Sequence, residues 1–237
     1  MPSAGSTILI AGASRGLGLA LAAEFLARDW HVIGTVRGAA RTDLHDLADR
    51  HPGRVEIMDL DITDRAQIAA LATRLAGRTL DILFVNAGTT THDPQVRMAD
   101  VADDEFARVM ATNVLGPIRV IQALAHLVPA GGLIGAMSSG QGSIANNENG
   151  RGEIYRSSKA ALNMALRSFA AREAGGEGGG GRAIVAMAPG WIRTDLGGAQ
   201  APFTVEEAIP KVADTLLAAR ATPGIHYLDR FGATVPW

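Results

Sequence analysis

Short apolar runs recur along this chain, with helical spacing between them, and that alternation limits the fold more than any other feature. Thr7–Ala11, His31–Val36, Val55–Met58, Ile82–Val85, Leu133–Met137 and Ala183–Ala188 are apolar almost throughout and are mostly bounded by Gly, Asp or Ser. A strand that faces water on one side alternates polar and apolar residues, whereas one buried on both faces does not. These runs therefore predict strands of a parallel sheet, with a last strand at Ile225–Leu228. Between them, Leu17–Arg28, Arg65–Leu75, Asp103–Val128 and Glu153–Arg172 carry apolar residues every three or four positions, as helices packed on one side do. Thr63-Asp64 and Asp103 are expected helix starts. Repeated strand–helix–strand units predict an α/β fold, a doubly wound parallel sheet of about seven strands with helices on both faces.

Residues 1–237 are expected to form one dinucleotide-binding domain, since no linker or internal repeat divides them. The run Gly175–Gly181 reads as a surface connection; it neither follows a strand nor opens a helix, and it lacks the Lys-Ser/Thr of a phosphate loop. A net charge of −2 without a basic block argues against a nucleic-acid surface. No apolar run reaches the roughly 18–20 residues that span a bilayer, and the first residues do not read as a signal peptide. With no cysteine there is no thiolate metal site or cysteine nucleophile, which fits a cytoplasmic setting. The six histidines lack ligand spacing, so no metal is expected.

Gly12, Gly16 and Gly18 fall where the first strand turns into the first helix, in the run AGASRGLG. Such a turn lets a pyrophosphate approach bare backbone, and the helix amino terminus offers it unpaired N–H groups and partial positive charge. Ser14, Arg15 and Leu17 lie in the same turn. About 20 residues on, an NAD-specific site would carry an acid for the ribose hydroxyls. This chain has Thr35-Val36-Arg37 and then Arg41, and a guanidinium suits a 2′-phosphate in charge and forked shape. NADP(H) is therefore favoured, with NAD(H) possible and Arg15 offering a second contact; Arg37 could also be a solvated strand-end charge. Asp61, in the run DLDIT with Ile62, is placed to accept from an adenine amino group, and Asn86-Ala87-Gly88 offers small residues at the next strand end. Asp61 and Asn86 could instead close turns or cap helices.

Tyr155 and Lys159 are spaced i, i+4 on a predicted helix, so they share a face. Carbonyl reduction needs a hydride on one face and a proton on the developing alkoxide. A phenol titrates near pH 10; an ammonium beside it is expected to favour the phenolate and lower that value. Ser139, at the end of the fifth strand, can donate a hydrogen bond to the substrate oxygen.

With its GxxxGxG turn, Asp61, Asn86-Ala87-Gly88, Asn113, Ser138-Ser139, YRSSK and PGWIRT, the chain resembles the short-chain dehydrogenase/reductase superfamily over essentially its whole length. PGWIRTDLGG and the closing VPW are similar to the C-factor (C-signal) and Sniffer-like carbonyl reductase branch. The resemblance implies a Rossmann-type subunit with an Asn113-Ser139-Tyr155-Lys159 constellation. Asn113 would shape a helix bend and hold a water that relays protons from Lys159. Ser139 rather than Ser138 would act, because two residues and then a glycine follow the family's serine. Tyr155 and Lys159 would also touch the cofactor, Pro189-Gly190 would pass the nicotinamide, Ile192 would meet its carboxamide, and Thr194 would bond to a phosphate or the amide. The family pairs subunits through the helices before Asn113 and around Tyr155, so a homodimer or homotetramer is expected.

The expected activity is an NADP(H)-dependent exchange of hydride with a small-molecule carbonyl or secondary alcohol. Substrate contacts are expected from Thr90–Val96, Gln141–Asn149, Trp191, Leu196 and Phe203. The alternative is a dinucleotide-binding signalling or sensor protein of the C-signal type with little turnover.

Overall fold

In the computed structural model, which describes residues 5–175 and 180–237, seven strands form one parallel sheet in the order β3-β2-β1-β4-β5-β6-β7. The strands are β1 (Thr7–Ala11), β2 (His31–Val36), β3 (Val55–Asp59), β4 (Ile82–Val85), β5 (Leu133–Met137), β6 (Ala183–Ala188) and β7 (Gly224–Asp229). The helices are α1 (Gly16–Ala27), α2 (Asp43–Arg50), α3 (Arg65–Arg74), α4 (Asp103–Met110), α5 (Gly116–Leu124), α6 (Glu153–Gly175) and α7 (Val205–Ala219).

Side chains alternate between the two faces, as the pleat requires. Ile8, Ile10, Ile82 and Phe84 enter one core with Leu21, Phe25, Leu44 and Leu216 of α1, α2 and α7. Leu9, Ala11, Leu83 and Val85 enter the other with Leu71, Val120, Leu162 and Phe169 of α3, α5 and α6. With both faces covered, the central strands β1, β4, β5 and β6 are apolar almost throughout. Strand order reverses between β1 and β4, and the crevice outside their carboxyl ends is the usual ligand position in such sheets.

Three features depart from the expectations. The helical pattern of Asp103–Val128 is broken by a π turn at Ala111–Leu115, between α4 and α5, and ends in a 3-10 turn at Ala125–Leu127. Helix α2 was not predicted: it is short and polar, but Thr42 and His45 form a reciprocal cap and Leu44 and Leu47 are buried. Helix α7 was also missed. Pro210 lies inside it, yet Thr204 and Glu207 form a capping box, and Ile209, Val212 and Leu216 bury one face. Of the glycine run, Gly175 ends α6, residues 176–179 lie outside the described residues, and Gly181 lies in a turn before β6. Among the described residues no helix is long and apolar enough to cross a membrane.

Candidate active site

The glycine turn is held closed from β4. Gly12 has φ +88°, and a Cβ there would lie 2.8 Å from the Cβ of Ala87. A Cβ on Gly18 would lie 2.0 Å from the Gly12 carbonyl oxygen, so α1 can only approach the turn this closely with glycine at that position. Asn86 Nδ2 donates to that same carbonyl at 2.8 Å, and Gly12 N–H donates to Thr35 Oγ1 at 3.0 Å. The side chain of Asn86 thus acts as a clamp on the turn, one of the roles left open by its sequence. Among the described residues no side chain caps α1, which leaves its first N–H groups as the donors a phosphate site uses. Ser14 and Leu17 are partly exposed in this turn.

The arginines are distributed unequally. Arg37 is 80% exposed, with Nη1 4.0 Å from Asp61 Oδ2. Arg41 is drawn away to Asp46 and Asp49 of α2. Arg15 pairs with Asp195, bringing the loop after β6 across to the glycine turn. Asp61 Oδ1 accepts from Thr63 N at 2.8 Å and from Thr63 Oγ1 at 2.6 Å. The Thr63 hydroxyl chiefly holds this carboxyl below its usual range, with Arg37 adding to the effect. Ile62 is buried, and its side chain abuts Gly116 at the start of α5.

The loop that carries Pro189, Gly190, Ile192 and Thr194 leaves β6 beside this turn. Arg230 Nη1 donates to Pro189 O at 3.2 Å while its guanidinium stacks 3.9 Å from the Phe203 ring centroid. Ile192 is buried and bridges Phe203. The Thr194 hydroxyl accepts from Gly197 N at 3.0 Å, closing a turn of its own loop. Trp191 and Leu196 are exposed, as is Ile144 in the loop after Ser139.

Ser139, Tyr155, Lys159 and Asn113 come together where β4 and β5 end. The Ser139 hydroxyl lies near enough to the Tyr155 phenol to act on it. Lys159 is buried; its Nζ lies 5.6 Å from the Tyr155 ring centroid and donates to Met137 O at 2.8 Å. A Cβ placed on Gly88 would lie 3.3 Å from Lys159 Nζ and 3.4 Å from Asn113 Oδ1, so the Asn86–Gly88 corner abuts both. The expectation of a lowered phenol is not met. Burial pushes Tyr155 up to about 12, against the opposing pull of Ser139 and with a further upward contribution from Tyr227. The ammonium is bonded to the end of β5, beside the ring, and burial brings it down to about 8. Desolvation of the charged forms outweighs the pairing that the helical spacing promised.

Asn113 lies in the π turn and is completely buried. Its Nδ2 donates to Thr89 O at 2.8 Å and Ser158 Oγ at 2.9 Å, and its Oδ1 accepts from Thr89 N at 2.8 Å. The side chain therefore fastens the loop after β4 to α6.

Several supporting residues were not singled out from sequence. Arg108 donates to Thr89 Oγ1 at 2.9 Å and Thr90 O at 2.7 Å while gripped by Glu105. Glu105 also accepts from His92 N at 2.7 Å, and the Arg108 hydrogen bond brings its carboxyl down to about 2. Behind Ser139, Ser138 donates to Asn163 Oδ1 at 2.6 Å, and Tyr227 of β7 donates to the Ser139 carbonyl. Only two tyrosines occur in the chain; one inside an apolar strand must find a polar partner, and that signal could have marked Tyr227.

Known proteins share this fold. A short-chain dehydrogenase/reductase from Burkholderia multivorans, crystallised with NADP, is 57% identical, with a TM-score of 0.94 over 98% of this chain and 99% of its own. The carbonyl reductase Sniffer of D. melanogaster is 27% identical, with a TM-score of 0.87 over 98% and 99%. C-signal of Myxococcus xanthus is 32% identical over 170 residues, 71% of this chain and 99% of that protein. The short chain dehydrogenase family model matches residues 6–203, and the chain belongs to that family of oxidoreductases.

Proposed function

We propose that the protein is an NADP(H)-dependent carbonyl reductase in which Tyr155 moves the proton, Ser139 orients the substrate oxygen, and Lys159 and Asn113 hold the site. The observation that carries this reading is the convergence of the Ser139 hydroxyl and the buried Lys159 amine on Tyr155, with the Lys159 Nζ 5.6 Å from its ring centroid. A hydroxyl pair of this kind presents two donors to one oxygen.

A phenol raised to about 12 is protonated throughout the neutral range, the form that gives a proton rather than takes one. In reduction, the Tyr155 O–H bond breaks as the substrate oxygen gains its proton, and the Ser139 hydroxyl donates a hydrogen bond to that oxygen while charge develops there. The Tyr155 oxygen is left negative. Lys159, charged below about pH 8, opposes that charge from a dry site where the attraction is strong.

The residues fit a dinucleotide. The uncapped start of α1 and the Gly12–Gly18 turn, with Ser14, Gly16 and Leu17, would receive the pyrophosphate. Arg37, exposed and only loosely paired, would receive a 2′-phosphate, and the Burkholderia relative was crystallised with NADP. When bound, the nicotinamide supplies or accepts the hydride. Asp61, Ile62, Asn86, Ala87, Gly88, Pro189, Gly190, Ile192 and Thr194 would line the remainder. The exposed Trp191, Leu196 and Ile144 favour a substrate with an apolar portion. Residues 1–237 would act as one unit, as a homodimer or homotetramer.

The test is a panel of ketones and aldehydes with NADPH and with NADH, run on the native chain and on Tyr155→Phe. We expect turnover with NADPH, and a loss of about 10²–10⁴ in kcat for the variant with NADPH affinity retained. A variant that turns over at the native rate refutes the assignment.

A further inference from the structure

Tyr227 is distant in sequence from every residue assigned above, yet its phenol ends on the main chain of Ser139. It lies on β7, two strands from β5, and is 1% exposed. Its hydroxyl donates to the Ser139 carbonyl, which also accepts from Gly142 N at 2.8 Å. The Ser138 and Asn163 side chains meet the same hydroxyl. Ser138 N–H is fixed to Met187 O at 2.8 Å, and Asn163 Nδ2 donates to Gly142 O at 3.3 Å. Both ends of the Ser139 turn are therefore tied down from behind. From the other side the Ser139 hydroxyl accepts from Gln141 N at 3.1 Å and meets Tyr155.

The ring of Tyr227 has its own support. Trp237 packs against it with centroids 5.2 Å apart, Arg167 covers Trp237 at 5.1 Å, and Tyr227 O accepts from Val235 N at 2.8 Å. A phenylalanine would fill the same space. What the hydroxyl adds is a directed bond to one carbonyl.

We propose that Tyr227 is a positioning residue, its phenol holding the Ser139 main chain so that the Ser139 hydroxyl stays beside Tyr155 and aimed at the substrate oxygen. This rests on the role given to Ser139 above. Catalytic geometry is sensitive to displacements of this kind, where about 1 Å can lower a rate by two orders of magnitude. Most of the turn's other bonds survive removal of the hydroxyl, so a smaller loss is expected here.

The experiment is a double-mutant cycle on a carbonyl compound turned over in the panel above. Tyr227→Phe is expected to lower kcat about tenfold, the effect of one lost directed hydrogen bond, with KM and NADPH affinity within about twofold of native. In a Ser139→Ala background the same substitution is expected to leave kcat unchanged, because the group it positions is gone. An equal loss from Tyr227→Phe in both backgrounds, or no loss in either, would overturn the proposal. Failure of the underlying reading has a different signature: no turnover by the native chain, or a Ser139→Ala variant as fast as native. Either is seen before Tyr227 is altered, and either removes the proposal with it.

Discussion

Replacing Lys159 by methionine should make the nucleotide-free protein more stable while removing its activity. Lys159 is 3% exposed, and burial lowers its ammonium from the ordinary 10.5 to about 8. At about 1.4 kcal/mol per unit, keeping that charge at neutral pH costs the folded state about 3 kcal/mol. Methionine has similar length and no charge, but it abandons the 2.8 Å bond to the Met137 carbonyl, a loss of about 1–2 kcal/mol. The net gain at pH 7 is about 1–2 kcal/mol, or roughly 2–8 °C in Tm for a chain of this size. The pH dependence identifies the cause. The unfolded chain keeps this proton until its pKa near 10.5, whereas the folded protein releases it near 8. Between those values the unfolded state binds more protons, so native stability climbs as pH rises. The methionine variant lacks that climb; its advantage should be largest at pH 7 and should reverse by pH 10. Urea unfolding of both proteins at pH 7, 8, 9 and 10 measures this directly. A variant less stable than native at pH 7, with a gap that does not change with pH, would refute the reasoning.

Other outcomes follow from the same geometry. Gly18→Ala would drive a methyl group to within 2.0 Å of the Gly12 oxygen and 2.6 Å of Asn86 Nδ2; opening the turn should cost about 1–3 kcal/mol and weaken NADPH binding, both measurable by thermal unfolding and fluorescence titration. Glu105, held at about 2 chiefly by Arg108, contributes stability that is present above its unfolded pKa of 4.5 and lost as pH falls toward 2. Glu105→Gln should flatten that part of the acid unfolding profile, and an unchanged profile would show that the carboxylate grips nothing of consequence.

The parts of this protein legible in its sequence are those set by neighbours along the chain. Strands β1, β2, β4, β5 and β6 occupy the predicted spans because burial on both faces leaves an unbroken apolar run. Tyr155 and Lys159 stand out because one helix carries both. The helix bend at Asn113 was expected from the family resemblance alone, since the apolar spacing of Asp103–Val128 does not mark the π turn that makes it. Helix α7 was hidden by Pro210, whose missing N–H is tolerated early in a helix with a capping box and a buried face. Asp61 and Asn86 were recognised as important without their work being known; Thr63 and the Gly12 carbonyl claim part of each side chain, and only the assembled turns reveal that.

The sign of the Tyr155 shift shows where local reading ends. Helical spacing tells which groups share a face, and from that an ammonium should stabilise a phenolate. Whether it does depends on how much water the surrounding strands exclude and on where the amine finds its partner, and both are tertiary facts. Here the end of β5 takes the amine through the Met137 carbonyl and burial raises the phenol, so proximity of the ring and the charge yields an acid rather than a standing phenolate. The same strand end delivers Ser139, and its carbonyl is held by a tyrosine 88 positions away. One strand terminus therefore sets the amine through the Met137 carbonyl and the serine through the carbonyl two residues on, so a displacement of β5 would disturb both together. Behind this strand end, Ser138 donates to Asn163 Oδ1 and Asn163 Nδ2 to Gly142 O, so the turn that carries Ser139 is held from the rear as well as through Tyr227.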